Sequence, residues 1–304
     1  MSLLSVVIPS FNEEAVLPRT VQVLSELLKN ENISYELIFV DDGSRDATWE
    51  KILNAHAKDE NVHGVHFSRN FGKEAAIFAG LSAAKGDCAA VMDCDLQHPP
   101  AALLQMYRLW EQGYEVVEGV KRSRGQESGS HRAATGIFYR IMSKATGIDM
   151  SRASDFKLLD RRAVDSLLDM PEHSAFFRAM SFWIGFHRTQ LEYDVMEREA
   201  GSSKWSTWSL IRYALNNIAG YSAMPMQLVT GAGVVVFLLA IVLGIQTLAR
   251  YFSGHAVEGF TTVILLILMI GSIIMISLGI TGYYIARIYE EVKRRPRYII
   301  SRTV

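Results

Sequence analysis

The 304-residue sequence predicts an α/β protein. A Rossmann-like, mostly parallel sheet comes first, followed by an amphipathic interfacial helix and two transmembrane helices. Three observations predict this order. Short apolar runs alternate with stretches of helical periodicity through the first half of the chain. No charged residue occurs from position 213 to 249, nor from 259 to 286. Charge is divided as well: residues 1–225 carry 24 Lys/Arg against 29 Asp/Glu, whereas residues 226–304 carry 7 against 3. An acidic soluble domain is therefore joined to a basic, membrane-embedded tail. Apolar residues at 49% and charged residues at 21% exclude disordered, collagen-like and low-complexity classes. A net charge of −1 argues against a nucleic-acid binder that works through a basic surface.

The strands read as 5–9 (SVVIP), 36–41 (ELIFVD), 62–68, 88–93 (CAAVMD) and 115–119. Helical patterns fall between them at 14–29, 47–57 and 73–84, and another begins after Pro99-Pro100, where proline suits a first turn. In such a sheet ligands bind beyond the carboxyl ends of the strands. No GxGxxG follows the first strand and no GxxxxGK[ST] occurs, so neither dinucleotide-binding signature nor ATP P-loop is present. Cys88 and Cys94 share one predicted strand and read as reduced, structural residues.

Both uncharged runs exceed the roughly 20 residues that cross about 30 Å of hydrocarbon. The expected spans are 225–250 and 260–286, and neither reads as a signal peptide. Arg287, Lys293, Arg294, Arg295, Arg297 and Arg302 follow the second span, while the link between the spans carries only Arg250 and Glu258. That bias predicts a basic cytoplasmic tail at 287–304, suited to anionic lipid headgroups, with residues 1–202 on the same side. Ahead of the spans, Trp205, Trp208, Ile211, Leu215 and Ile218 recur every three or four residues, so 203–224 reads as an interfacial helix. Gly271, Ser272, Ser277 and Gly279 are small enough for close helix packing or oligomer formation.

Carboxylates, not glycines, mark the strand ends. Asp41-Asp42-Gly43-Ser44 ends the second strand, where Asp41 and Asp42 can accept from a base N–H or ribose hydroxyls, and Asp46 beyond them suits a helix cap. Asp93-Cys94-Asp95 ends the fourth. In extended backbone Asp93 and Asp95 share a face, and two carboxylates there suit Mg²⁺ or Mn²⁺, which completes its shell with water and phosphate.

Four stretches, SVVIPSFNEE, FVDDGSRD, FSRNFGKEAAIFAGLSAAKGD and VMDCDLQHPP, resemble family 2 inverting glycosyltransferases of GT-A fold. Within that family the chain is most similar to the dolichol-phosphate-mannose-synthase-like group, in particular bacterial members with two C-terminal spans that glucosylate undecaprenyl phosphate. Ser154 to Asp160 (SDFKLLD) and Arg198 to Trp205 (REAGSSKW) extend the resemblance to the whole chain. It implies that Pro9, Asn12, Glu13, Asp41 and Asp42 border the nucleotide. Asp93 and Asp95 would hold the metal, with Gln97 and His98 near the diphosphate and sugar. Arg198, Ser203 and Lys204 would close over the phosphates. Lys121, Arg122, Arg124 and Arg132 are candidates for the acceptor phosphate, and the departure from the family's usual arginine after strand five leaves the choice among them open.

The expected reaction is transfer of a hexose, glucose first, from a UDP-sugar to polyprenyl phosphate at the cytoplasmic membrane face. A phosphate monoester is mostly ionised at neutral pH, its second pKa lying near 6. Asp155 is therefore expected to orient groups rather than take a proton. N-acetylglucosamine or GDP-mannose donors, a glycerolipid acceptor, and a membrane-tethered nucleotide-sugar sensor are the alternatives. A processive synthase is disfavoured because Gln105-Met106-Tyr107-Arg108 is followed by leucine instead of tryptophan. The resemblance allows a homo-oligomer such as a tetramer, and a separate flippase and a later transferase as downstream partners.

Overall fold

A computed structural model of the chain describes residues 2–122, 154–172, 176–194, 224–253 and 259–304. The chain divides into two compact units, Met1–Trp205 with Arg295–Val304, and Ser206–Arg294.

The first unit is an α/β/α sandwich. Its strands are β1 (Leu3–Ser10), β2 (Ser34–Asp41), β3 (Val62–Phe67), β4 (Cys88–Val91), β5 (Val116–Lys121), β6 (Lys157–Asp160), β7 (Arg188–Tyr193) and β8 (Ile300–Thr303). They form one sheet in the order β7-β5-β6-β4-β1-β2-β3-β8. The helices are α1 (Leu17–Asn30), α2 (Thr48–His56), α3 (Lys73–Ala83), α4 (Pro100–Glu111), α5 (Arg161–Leu168) and α6 (Phe177–Trp183). Strands β1 to β4 pair in parallel, as the strand–helix alternation predicts. Strand β6 enters antiparallel between β4 and β5, and β8 lies antiparallel on β3, so the sheet is mixed.

Alternation along the strands builds two cores. Val6 and Ile8 face Leu17, Leu24 and Leu28 of α1 and Leu103 and Met106 of α4. Val7, Ile38 and Val40 face α3, with Val164 of α5 and Phe177 of α6 in the same cluster. Helix α3 packs tightly on the sheet at Gly80. A Cβ added at Gly80 would come within 2.2 Å of Val7 Cγ1 and 3.1 Å of Val40 Cγ2. Gly80→Ala is therefore expected to lower stability by about 1–3 kcal/mol, the usual cost of overpacking, as read by thermal unfolding. The same shift displaces the first turn of α3, which carries site residues.

Residues 295–304, part of the expected basic tail, are built into the first unit. They return to the sheet and cover the edge of β3. Gly64 and Val304 exchange both backbone hydrogen bonds at 2.9 Å, and Ser68 N–H donates to Ile299 O at 3.0 Å. Tyr298 stacks on Phe67 with ring centres 5.1 Å apart, and the Arg297 guanidinium donates to the carbonyls of Met170 and Glu172. Strand pairing, apolar contact and the Arg297 guanidinium, which also lies 4.7 Å from the centre of the Phe78 ring, place this segment.

The second unit contains α7 (Met224–Phe252) and α8 (Phe260–Val292). Both are long and apolar enough to cross a membrane, over Val229–Thr247 and Met269–Val292. Phe237, Leu238, Val242, Ile245, Ile267 and Met275 are among the many apolar side chains left exposed. The hydroxyls of Thr230, Thr247, Ser277 and Thr281 donate to carbonyls one turn back, so they need no water. A Cβ at Gly271 or Gly279 would meet no atom within 4 Å, so neither glycine serves packing among the described residues of one chain. Residues 203–223 of the expected interfacial helix 203–224 lie outside the described residues, and Met224 already belongs to α7.

Candidate active site

Three loops gather at the carboxyl edge of the parallel strands, where Ser10 stands in register with Asp41 and Val7 with Val91. The first two loops are tied together. Asn12, at φ 56°, accepts from Arg45 N–H through Oδ1 and donates its own N–H to Ser44 Oγ, both at 2.9 Å. Asparagine tolerates that left-handed backbone better than most residues. Glu13 N–H donates to Thr48 Oγ1 at 2.9 Å, and Glu14 Oε2 accepts from Ala47 N–H at 2.8 Å. Asp46 accepts from Thr48 N–H at 3.1 Å as an Asx turn just ahead of α2, whose N-cap is Ala47 without a side-chain bond and not Asp46 as expected.

Asp41 and Asp42 are fully and almost fully buried. Asp41 accepts from Ser44 N–H at 2.9 Å and pairs with His66 Nδ1 at 2.8 Å. Asp42 accepts from Phe71 N–H at 2.6 Å and Gly72 N–H at 2.9 Å. Burial raises the Asp42 carboxyl above the usual carboxylate range, and those two N–H groups pull against it. A strand-end acid pair thus fastens the turn after β2 and the loop before α3. Gly43 has φ +67°, and a Cβ there would lie 2.5 Å from the carbonyl carbon of Arg69, so the two loops touch backbone to backbone.

Strand β4 ends at Val91, before the two acids. Asp93 follows the strand by two residues and Asp95 lies in the turn after it, so the expected strand to residue 93 ends two residues early and does not reach both acids. Burial still alternates: Asp93, Asp95 and Gln97 are half-buried while Cys94, Leu96 and His98 are buried. Leu96 achieves this at φ 54°, a costly conformation for leucine and one found chiefly where a turn is fixed by its surroundings. Asp95 Oδ1 accepts from Gln97 N–H at 3.1 Å. His98 stacks on Phe156 at 4.6 Å with 7° between planes, and its Nδ1 accepts from Asp93 N–H at 3.3 Å. Its proton is then on Nε2. Burial holds the His98 pKa below its usual value, so the ring is neutral and supports the acidic turn from beneath.

The acidic turn meets a ring of charges that the motifs did not reveal. Lys73 Nζ, on the first residue of α3, lies 2.5 Å from Asp93 Oδ1 and 3.0 Å from Asp155 Oδ2. Arg178 of α6 grips Asp155 with both nitrogens, at 2.6 and 2.9 Å. Glu74 accepts from Phe177 N–H at 2.8 Å and so ties α6 to α3. Burial, with Asp155 nearby, pushes Glu74 up to about 7. For Asp155 burial pushes upward too, but Lys73 and Arg178 outweigh it and hold the carboxyl well below the usual range. Burial would lower Lys73, yet Asp93 and Asp155 keep it firmly protonated. Beside this ring, buried Lys157 pairs with Glu118 at 2.8 Å.

Lys121 ends β5 beside the cluster. Lys121 is exposed, yet loss of solvation by the surrounding protein lowers its pKa against the pull of Asp93 and Asp95. Arg122 points to Asp194, at 3.0 Å, and is exposed. Pro9 lies within β1 opposite Val40. Arg124, Arg132, Arg198, Ser203 and Lys204 lie outside the described residues. Lys73, Glu74 and Arg178 were missed. One signal was available for Lys73: a lysine in the first turn of a helix opposes the helix dipole and so asks for an acidic partner.

Among the described residues no cluster of three His, Cys, Asp or Glu is placed to hold a metal. Two half-buried carboxylates are nevertheless a donor set that fits Mg²⁺ or Mn²⁺, which takes one or two carboxylates and fills its remaining positions with water and phosphate.

Residues 5–183 match the model of glycosyl transferase family 2. The chain is 37% identical over 301 residues to the putative glycosyltransferase CsbB of Bacillus subtilis, covering 98% of this chain and 91% of that one. It is 35% identical over 306 residues to the bactoprenol glucosyl transferase of Shigella phage SfII, covering 99% and 98%. Its fold is similar to that of glucosyl-3-phosphoglycerate synthase from Mycobacterium tuberculosis in complex with Mn²⁺, UDP and phosphoglyceric acid, with TM-score 0.54 and 20% identity over 72% of this chain and 76% of that one. The mixed sheet is of the GT-A type.

Proposed function

The chain belongs to glycosyl transferase family 2, and on that premise we propose that it transfers glucose, with inversion, from UDP-glucose to a polyprenyl phosphate in the membrane. The observation that carries the proposal is the similarity to bactoprenol glucosyl transferases along the whole chain, catalytic unit and apolar helices alike. The helices α7 and α8 insert as a pair. The chain leaves the first unit before α7 and re-enters it after α8, so an even number of crossings is required. The Lys/Arg bias puts that unit on the cytoplasmic side.

Asp93 and Asp95 would hold Mg²⁺ or Mn²⁺. When bound, the cation neutralises charge on the leaving diphosphate. The other roles fall to the protein. The Asp42-anchored loop and the paired 11–14 and 42–47 loops border the nucleotide. Lys121 faces the space where two anionic substrates must approach each other, and offsets their repulsion. The ionised acceptor oxygen attacks the anomeric carbon in line, so no protein base is required. Asp155 keeps Lys73 and Arg178 in place and remains ionised throughout.

The test uses purified full-length protein with undecaprenyl phosphate, Mn²⁺ or Mg²⁺, and a panel of UDP- and GDP-sugars, reading new glycolipid by mass. Product from UDP-glucose, lost in Asp95→Ala, is the expected result. Product only with another sugar, or only when diacylglycerol replaces the lipid phosphate, overturns the donor or acceptor assignment.

A further inference from the structure

We propose that Lys73 is a resident counter-ion of the Asp93 carboxylate, which a divalent cation must displace, so that cation binding becomes dependent on the nucleotide diphosphate. The proposal rests on the reading that Asp93 and Asp95 hold the metal, and goes further by assigning what guards that position. Lys73 Nζ is 2.5 Å from Asp93 Oδ1, so the oxygen offered to a metal already has a full positive charge in contact with it. Two cations cannot share that oxygen without strong repulsion.

The local structure makes the lysine displaceable. Its ammonium also touches Asp155 at 3.0 Å, and can pivot on that carboxylate while releasing Asp93. Asp155 does not depend on Lys73 to stay satisfied, because Arg178 already holds both its oxygens. The Lys73 side chain is 42% exposed, which leaves it room to move. At the start of α3 the helix dipole works against a cation, so the two acids are what keep it there. A diphosphate arriving with the metal supplies both a ligand for the metal and a new partner for the freed ammonium. The metal alone supplies neither.

Mn²⁺ binding to the detergent-purified full chain, followed by electron paramagnetic resonance, tests this without turnover. Wild type is expected to bind Mn²⁺ weakly alone and at least tenfold more tightly with UDP. Lys73→Met should bind Mn²⁺ alone about tenfold more tightly than wild type, and UDP should narrow that gap. Lys73→Arg, which keeps a cation, should stay weak. Lys121→Met controls for a general change of field. Equal tightening by Lys121→Met, or none by Lys73→Met, overturns the displacement. If Lys73→Met does not fold, amine acylation of Lys73 in wild type decides. Its rate should differ between Mn²⁺ plus UDP and UDP alone, because the ammonium exchanges Asp93 for the diphosphate, and an unchanged rate overturns the proposal. Failure of wild type to bind Mn²⁺ even with UDP instead removes the metal reading itself.

Discussion

Asp155→Asn is expected to cost the catalytic unit about 2–4 kcal/mol and roughly a hundredfold in turnover, without changing the pH dependence of the turnover that remains. The carboxylate is buried and engages two cations, Arg178 at 2.6 and 2.9 Å and Lys73 at 3.0 Å. An amide leaves both without their counter-charge. Breaking a fully buried pair costs about 3–5 kcal/mol, and solvent reaching the 42%-exposed Lys73 brings the figure down. Loss of turnover follows from geometry: Arg178 leads α6, Lys73 leads α3, and Asp93 leans on Lys73. For a domain of this size thermal unfolding should register roughly 2–4 °C per kcal/mol.

The pH dependence separates orientation from proton transfer. Lys73 and Arg178 hold the Asp155 carboxyl below its unfolded value of 3.8 despite its burial. Its stabilisation is therefore present at every pH above about 4, and is lost only as pH falls towards the lower folded value. Wild type and Asp155→Asn should differ by a constant amount above about pH 8, with one step near pH 7 where Glu74, raised in part by Asp155, titrates, and should converge only in acid. A carboxylate so firmly ionised is a weak base. If Asp155→Asn keeps the wild-type melting temperature and UDP affinity but loses turnover, Asp155 is a general base after all.

Much of this unit is legible in the sequence because its elements are regular. Strands β1 to β5 are apolar runs, and α1 buries Leu17, Leu24 and Leu28 at helical spacing. Strands β6 to β8 were not legible, for three different reasons. KLLD in β6 is short, and its lysine is buried only because Glu118 meets it. RTQLEY in β7 opens on three polar residues, so too little of it alternates to read as a strand. ISRT in β8 lies in an arginine-rich stretch and gains its place from Tyr298 and the open edge of β3. The same division holds at the site. DDGS and DCD mark strand ends by themselves, but the partners of Asp155 come from α3 and α6, far apart in sequence, and no local pattern joins them. The acids at 41 and 42 show the limit from the other side: their position was readable, whereas the backbone N–H groups and the histidine that engage them belong to the fold.

Removal of residues 295–304 is expected to destabilise the catalytic unit by about 3 kcal/mol or more and to make it aggregate, although every residue of the candidate site remains. The deletion opens the whole edge of β3, including the N–H and C=O of Gly64 that pair with Val304, and uncovers Phe67. An open, apolar edge strand is a template for another chain. The effect reaches the site through the loop after β3. Ser68 N–H is held by Ile299 O, and four residues on, Asp42 holds Gly72 beside Lys73. Point variants separate this role from a charge-only tail. Tyr298→Ala should lower the melting temperature while leaving liposome binding intact, and Arg302→Ala, exposed on β8, should change neither the melting temperature nor liposome binding. A tail that serves only to bind anionic lipid predicts the reverse: Arg302→Ala weakens binding to anionic vesicles, and Tyr298→Ala leaves stability unchanged. The pairing has a kinetic side as well. Val65 and Thr303 are partners across the sheet, yet both apolar helices lie between them in the chain. The edge of β3 therefore stays open until both helices have been made, because so distant a pairing forms late. A chain cut before β8 never closes it, so aggregation of the truncated protein should increase with expression rate, and supplying residues 295–304 as a separate peptide should reduce it.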